Sequence, residues 1–565
     1  MQTPKVKEKI LAVLLTIVLM LFGYYLYKQG RVITGPFIFA DELEYFSYAR
    51  DLFLGKGLSD HVQYGILYPA IGSLFFYFGN VETVYSCLRI FNIAILLSSA
   101  IPAFLLVRAW LPNSLMLFFF PLLTVMAPFS GYVYLIWAEP LYYTLFLWTA
   151  FALFSFYRNP RILCGVVVGI LLSLLFHAKP GAGIVVQFAA FFSLISLVFR
   201  VPSGMRRRLI LPIFLLVLSC LLLMVPWMIR NYHLDVGPIG YGSHTLELDK
   251  MIAEFGHLKL AMDTFRSLFF QLTYVFIGTW GLFGVLFLML LKRWRLLLKE
   301  DFTLIVFTLL CISGLIFLSA FGMSTFHGLS YWMPNGRYLA VTFPLLILLS
   351  MGVLARIPNN SERKRFALIS VMLVIIAIFA TPLGMLSPSS FVNNAELALP
   401  AWIIDGGLTW RGRYVPAIYE RIIFATAYGG IGLVLIWVSR WRRVFPYFIA
   451  PIFACSFIAS ISEQKLVTVL GINATGFNNV MRYALRKQIV EKDIFFDNEF
   501  KSVNTPFIPR FWTGSGMFKF IDRNKVVRSM ENRSKSNFFI STKKIPLPIA
   551  YKSKGYFVYR VNLEN

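Results

Sequence analysis

Three carboxylates stand close together at Asp41-Glu42-Leu43-Glu44, directly beyond the first hydrophobic run of the chain. The sequence holds 27 acidic residues against 53 basic ones, so carboxylates are scarce and this cluster concentrates them. Carboxylates grouped beside a lipid surface suit the removal of a proton from a nucleophile. At short range they also raise one another's pKa. A plainer role stays open: Asp41 followed by Glu44 has the spacing of a helix N-cap and its capping partner.

Other polar residues recur at the ends of apolar runs. Glu139 lies in Trp137-Ala138-Glu139-Pro140 and Lys179 in His177-Ala178-Lys179-Pro180. Arg230 and Asn231 lie in Pro226-Trp227-Met228-Ile229-Arg230-Asn231-Tyr232, and Arg337 with Tyr338 in Asn335-Gly336-Arg337-Tyr338. Each has a structural alternative. Glu139 before Pro140 reads as a helix start, and Lys179 and Arg230 read as snorkelling cations at a span end. Tyr45 and Tyr68 suit an interfacial aromatic belt as well as a substrate contact.

The elements that must position these residues follow from composition. The 565 residues are 58% hydrophobic and only 14% charged, with a mean hydropathy of +0.70. The expected fold class is an all-α polytopic membrane protein with a small C-terminal α/β domain. Apolar runs of bilayer length fall near 10–27, 87–107, 113–131, 139–157, 162–177, 181–199, 209–228, 272–291, 302–322, 338–355, 366–386, 421–439 and 444–462. These make about thirteen spans at the usual 17–25 residues each. Lys5, Lys7 and Lys9 before the first run, with no small-residue cleavage site after it, read as a retained signal-anchor. With the N-terminus inside, the basic links Arg158/Arg161, Arg200 to Arg208, Lys292 to Lys299, Arg356 to Arg365 and Arg440 to Arg443 all fall on the cytoplasmic side. The net charge of +26 is therefore a topology signal and not a nucleic-acid footprint. The five cysteines lie in or beside apolar runs, which argues against a disulfide framework.

The same topology places loops 28–86, 229–271, 323–337 and 387–420 outside. In the first of them Leu43, Phe46 and Phe53 form one apolar stripe, Gly55 and Gly57 would stop the helix, and Tyr64 to Phe78 is too short to cross and would lie along the interface. The membrane domain is expected over 1–462 and an extracytoplasmic domain over 463–565. In the latter a helical run near 480–490 precedes strand-like segments at 493–496, 537–541 and 555–559.

The middles of these spans carry almost no ionisable residue, whereas ion-coupled pumps bury charge near the midplane. An enzyme working at the outer interface fits better. A sugar carried on a polyprenyl phosphate leaves without needing a proton. Such an enzyme needs cations for the departing phosphate and a carboxylate to deprotonate the attacking hydroxyl.

The run Asp41-Glu42-x-x-Tyr45-x-x-x-Ala49 ending at Gly55 resembles the first external loop of GT-C glycosyltransferases, among them the protein O-mannosyltransferases and the lipid A aminoarabinose transferases. Tyr68-Pro69, Ala178-Lys179-Pro180, Pro226-Trp227-x-x-Arg230-Asn231-Tyr232 and Gly336-Arg337-Tyr338 are similar to that family's motifs and occur in its order. The resemblance implies Asp41 as catalytic base, Glu42 as its neighbour and Glu139 as a second acidic position. It implies Lys179, Arg230 and Arg337 facing the lipid phosphate, with Tyr45, Tyr68, Asn231 and Tyr338 as substrate contacts. The chain departs from the family at Gln63-Tyr64-Gly65-Ile66-Leu67, where a basic residue and paired prolines are common.

The expected activity is transfer of a sugar from a polyprenyl-phosphate donor to a lipid, protein or glycan acceptor by one inverting displacement. The expected place is the outer face of a cytoplasmic membrane. A flippase for lipid-linked sugars and a lipid-linked polysaccharide polymerase or ligase are the alternatives. A divalent metal held by Glu42 or Glu139 with any of His61, His177, His233, His244, His257 and His327 also stays open, although no HxH or HExxH spacing supports it.

Overall fold

The structure is a computed structural model of the chain. It describes residues 4–33, 40–56, 64–111, 113–126, 129–234, 257–293, 299–324, 336–357 and 359–380, together with Gly35, Leu297, scattered positions between 426 and 481, and five strands between 494 and 562.

Helices dominate. In chain order they are α1 (Pro4–Gly30), α2 (Ala40–Phe53), α3 (Leu67–Leu74), α4 (Val81–Ser98), α5 (Ala100–Trp110), α6 (Ser114–Met126), α7 (Glu139–Arg158), α8 (Ile162–Ala178), α9 (Pro180–Arg200) and α10 (Ser203–His233). They continue with α11 (His257–Gly278), α12 (Leu282–Arg293), α13 (Lys299–Ser324), α14 (Gly336–Leu339), α15 (Phe343–Arg356) and α16 (Asn360–Ala380).

Among the described residues six helical runs are long and apolar enough to cross a membrane: Glu8–Gly30, Val81–Trp110, Pro180–Arg200, Arg206–His233, Asp301–Phe321 and Gly336–Arg356. α1 and α10 expose apolar side chains on their outer sides, including Val13, Ile17, Met20 and Leu21 on the first and Leu211, Phe214, Leu222 and Ile229 on the second. Apolar faces of this size are stable against lipid. The chain is a multi-pass α-helical membrane protein.

The helices correct the expected spans in several places: the run at 113–131 is the 13-residue α6, which ends at Met126, and the run at 162–177 is the 17-residue α8, both short apolar helices. The run expected at 272–291 is two helices, α11 and α12, turned by 102°. The turn is made at Trp280 and Gly281, whose φ angles are 57° and 72°. Glycine enters that left-handed region freely, and a Cβ on Gly281 would fall 2.2 Å from the Ser370 carbonyl of α16. The runs at 139–157 and 366–386 match α7 and α16, 20 and 21 residues long, but both fall outside the strongly apolar set. In α7 the reason is visible. Tyr142, Tyr143, Thr144 and Thr149 are buried among neighbouring helices and meet protein instead of lipid. The spans expected at 421–439 and 444–462 lie largely outside the described residues.

The core centres on α7 and on α14 with α15. Nearly all of the window Gly336–Arg356 is buried, 94% of it, and fourteen residues of α7 are buried. These two central runs begin with Glu139 and Gly336-Arg337 respectively. Toward the C-terminus a five-stranded sheet has the order β2-β1-β3-β5-β4. Its strands are β1 (Ile494–Asp497), β2 (Lys519–Ile521), β3 (Ser536–Ser541), β4 (Ile549–Ser553) and β5 (Tyr556–Asn562). β1 runs parallel to β2 and β3, while β5 is antiparallel to β3 and β4. The three segments expected to be strands are β1, β3 and β5. The expected helix at 480–490 lies outside the described residues apart from Met481.

Candidate active site

The helix α2 opens with Ala40-Asp41-Glu42. Both acids therefore sit inside its first turn, where the helix dipole favours negative charge, and Asp41 is not the residue outside it that an N-cap would be. Gly55, at φ 67°, ends the helix, and the Lys56 N–H reaches back to the Asp51 carbonyl at 2.9 Å. Leu43 and Phe46 bury their side chains, and Phe53 meets the rings of Phe76 and Tyr77 at 5.6 and 5.0 Å.

Adjacent helical residues face different ways, and this separates the two acids. Glu42 is fully buried, and its Oε1 accepts from the Ile136 N–H at 3.0 Å. Residues 129–138 are buried but not α-helical, so their backbone groups need partners. Asn92 donates to the Leu135 carbonyl at 2.7 Å, and Tyr85 to the Tyr134 carbonyl at 3.5 Å. Glu42 thus belongs to the set of side chains that fix the segment leading into Glu139.

Asp41 faces the other way. Its Oδ2 lies 2.7 Å from Arg337 Nη1, and its Oδ1 accepts from the Tyr64 hydroxyl at 2.9 Å. Arg337 Nη1 also lies 3.7 Å from Glu139 Oε1. That oxygen is 2.7 Å from Lys179 Nζ. Lys179 stands over the Tyr338 ring at 4.2 Å, and Arg337 over the Trp137 ring at 5.2 Å. Two carboxylates and two cations therefore form one balanced chain of charge, although they come from α2, α7, the α8–α9 turn and α14. Among the residues expected to do chemistry, the structure joins Asp41, Glu139, Lys179, Arg337 and Tyr338.

Local sequence explains how each arrives. Pro140 at the first turn of α7 presets its start and leaves Glu139 at the N-terminus. Lys179 is extended, with φ −147° and ψ 92°, because the residue before Pro180 avoids the helical region. Gly183 lets α9 fold tightly back, since a Cβ there would come within 2.5 Å of the Phe176 Cα.

The remaining candidates sit differently. Arg230 lies over the Trp227 ring at 4.3 Å and donates to Asn231 Oδ1 at 2.8 Å. Asn231 is itself fully buried. Tyr68 is buried and donates to Asn92 Oδ1 at 3.1 Å, so it braces the segment that Glu42 also holds. Tyr45 is buried with its ring edge-on to Tyr64 and Tyr68 at 4.8 and 5.3 Å. It forms a floor under the Asp41–Tyr64 bond. Sequence reasoning missed Tyr64 and Trp137. The substitution of Tyr64 and Gly65 into the family's proline-rich stretch was the available signal.

Burial alone would raise the Asp41 carboxyl, but the Arg337 charge and the hydrogen bonds from Arg337 and Tyr64 outweigh it. The group is held below the usual carboxylate range. Burial, together with the neighbouring Asp41 charge and hydrogen bond, pushes the Tyr64 phenol far above its ordinary value. Tyr64 therefore stays a protonated donor. Among the described residues no three His, Cys, Asp or Glu side chains gather in a metal-holding group. The side chains of His61, His244, His257 and His327 lie outside the described set.

No protein-family model matches the chain, and no curated protein does. Among solved structures it is similar to ArnT from Cupriavidus metallidurans in the apo state, at 12% identity and a TM-score of 0.48, over 97% of this chain and 98% of that one. It is similar to the same protein bound to undecaprenyl phosphate, at 10% identity and a TM-score of 0.49, over 96% and 97% of the two chains. It is also similar to the Archaeoglobus fulgidus oligosaccharyltransferase complex with Zn and sulfate, at 14% identity and a TM-score of 0.40, over 73% and 57%.

Proposed function

We propose that this chain is a GT-C type membrane glycosyltransferase that moves a sugar from a polyprenyl-phosphate donor to an acceptor hydroxyl at the outer face of a cytoplasmic membrane. The observation that carries the reading is the joining of Asp41, Arg337, Glu139 and Lys179 through contacts of 2.7, 3.7 and 2.7 Å. The motifs quoted from the sequence support it.

In the reaction the acceptor O–H gives its proton to Asp41 as its oxygen attacks the anomeric carbon. The bond from that carbon to the phosphate oxygen breaks, and the electron pair leaves with the phosphate. Arg337 and Lys179 supply the positive charge that the leaving group needs. Arg230, held by Asn231 and Trp227, would meet the lipid phosphate from α10. Attack opposite to departure inverts the anomeric centre. The N-terminus would be cytoplasmic and the C-terminal domain, 463–565, would sit outside and help position the acceptor.

The balanced charges have a consequence for donor binding. A phosphate adds negative charge to a group that is already neutral overall, so at least one cation must turn from its carboxylate to the donor. Arg337 is suited to do so by giving up Glu139, its longer contact at 3.7 Å, while it keeps Asp41 at 2.7 Å.

The test is Asp41→Asn in the full chain, incubated with labelled polyprenyl-phosphate sugars and membrane extract, with product identified by mass spectrometry. General base removal costs about 10²–10⁴ in rate. Transfer by the variant at the wild-type rate would overturn the reading and favour a flippase or a ligase.

A further inference from the structure

Both oxygens of the proposed base are occupied by the protein's own groups. Oδ2 is held by Arg337 at 2.7 Å and Oδ1 by the Tyr64 hydroxyl at 2.9 Å. An acceptor alcohol has to donate a hydrogen bond to one of them before it can be deprotonated. The Arg337 contact is an ion pair, and a charge-assisted bond between two ions is the harder to displace. Oδ1 is therefore the oxygen left for the acceptor, and the group already on it is an O–H donor to a carboxylate, which is the chemistry of an alcohol.

The backbone holds Tyr64 in that place. Its neighbour Gly65 lies against the α8–α9 turn so closely that a Cβ would fall 2.1 Å from the His177 carbonyl oxygen. The ring rests edge-on against Tyr45 at 4.8 Å. The hydroxyl is thus delivered from a residue fixed on one side by close backbone contact and on the other by a buried ring.

We infer that the Tyr64 phenol holds the place of the acceptor hydroxyl, capping Oδ1 of Asp41 until an alcohol acceptor displaces it and screening the bound donor from water. The inference rests on the reading of Asp41 as the base. It makes Tyr64 a positioning and specificity residue and not a proton carrier. An acceptor must bring enough binding of its own to replace the phenol, whereas water brings too little.

The experiment compares wild type, Tyr64→Phe and Asp41→Asn as full chains in lipid vesicles. Tritiated undecaprenyl-phosphate hexoses serve as donors and glycerol as the acceptor probe. Two rates are followed: free sugar released to water, and sugar transferred to glycerol. Tyr64→Phe keeps the ring and removes the competing bond. A bond to a charged group is worth about tenfold or more. Release to water is expected to rise by about that factor, the half-saturating glycerol concentration to fall by about as much, and the half-saturating donor concentration to stay unchanged. A half-saturating glycerol concentration that is unchanged or raised overturns the inference.

A second readout needs no turnover. Asp41 is modified with a water-soluble carbodiimide and measured by peptide mass spectrometry, with Asp51 as internal control. Tyr64→Phe should increase modification of Asp41 several-fold and leave Asp51 unchanged; equal modification of Asp41 overturns the inference. If Asp41→Asn is inactive while Tyr64→Phe behaves as wild type, the base stands and the placeholder falls. If Asp41→Asn transfers normally, the base itself falls.

Discussion

Lys179→Met takes the ammonium away from Glu139 while leaving the carboxylate in place. Glu139 is only 3% exposed, so water cannot take over from the lost partner. Its Oε1 would keep only the contact to Arg337 at 3.7 Å, and Arg337 could shorten that contact only by leaving Asp41. Breaking a buried pair from one side costs about 3–5 kcal/mol. The Arg337 contact argues for the lower end, about 3 kcal/mol. Glu139→Gln is milder, because the amide oxygen still accepts from Lys179, and Lys179 keeps the Tyr338 ring at 4.2 Å. About 1–2 kcal/mol is expected for it, the net value of one hydrogen bond with its charge assistance removed. Glu139→Gln with Lys179→Met removes both charges, and replacing a buried pair by neutral groups is often nearly neutral. The double variant should then lie within about 2 kcal/mol of wild type, giving a coupling of at least about 2 kcal/mol. The assay is reversible unfolding in mixed micelles, with SDS as denaturant and tryptophan fluorescence as signal. Additive losses, or a Lys179→Met variant as stable as wild type, would refute the claim that this pair is closed to solvent and coupled.

Glu42→Gln keeps an acceptor for the Ile136 N–H and should hold activity within a few-fold of wild type, whereas Glu42→Ala strands that donor and should lose about 1–3 kcal/mol of stability. A Glu42→Gln variant as inactive as Asp41→Asn would show that Glu42 does acid–base work after all. The pH dependence follows from Asp41, which Arg337 and Tyr64 hold below the usual carboxylate range. Its ion pair stabilises the fold fully above the unfolded carboxylate value of about 3.9, and that contribution is lost as pH falls through the lowered folded value. Arg337→Met removes the main opposing charge, so the Asp41 pKa rises and the acid limb of donor turnover moves to higher pH. An acid limb that stays where it was would assign the base to another group.

The local setting of each charged residue was legible because it is fixed by short-range rules. A carboxylate before a proline opens α7, a lysine before a proline makes the extended turn between α8 and α9, and an arginine stands in the first turn of α14. Three of the five strands, β1, β3 and β5, were legible too, since runs of aromatic and β-branched residues are a short-range pattern; β2 and β4 carry a weaker pattern. Which of these residues meet was not, because Asp41 and Arg337 are 296 positions apart and their contact depends on how α2 packs beside α14. The same limit hid the division of labour between Asp41 and Glu42. Adjacent acids look alike in a sequence, but a helix turns them about 100° apart, so that one meets cations and the other the backbone of 129–138.

The α11–α12 bend was hidden for a related reason: a hydropathy window averages across Trp280-Gly281 and sees one apolar run. What forces the bend is the space left by α16, where a Cβ on Gly281 would meet the Ser370 carbonyl. Tyr64 combines both difficulties. As a residue type it reads as one more interfacial tyrosine among the 27 in the chain. Its meaning comes from Gly65, which draws the backbone onto the His177–Ala178 turn and so carries a hydroxyl to the one oxygen of Asp41 that Arg337 leaves free. A glycine that permits a close approach can thus shape a site as much as the charged residues that line it.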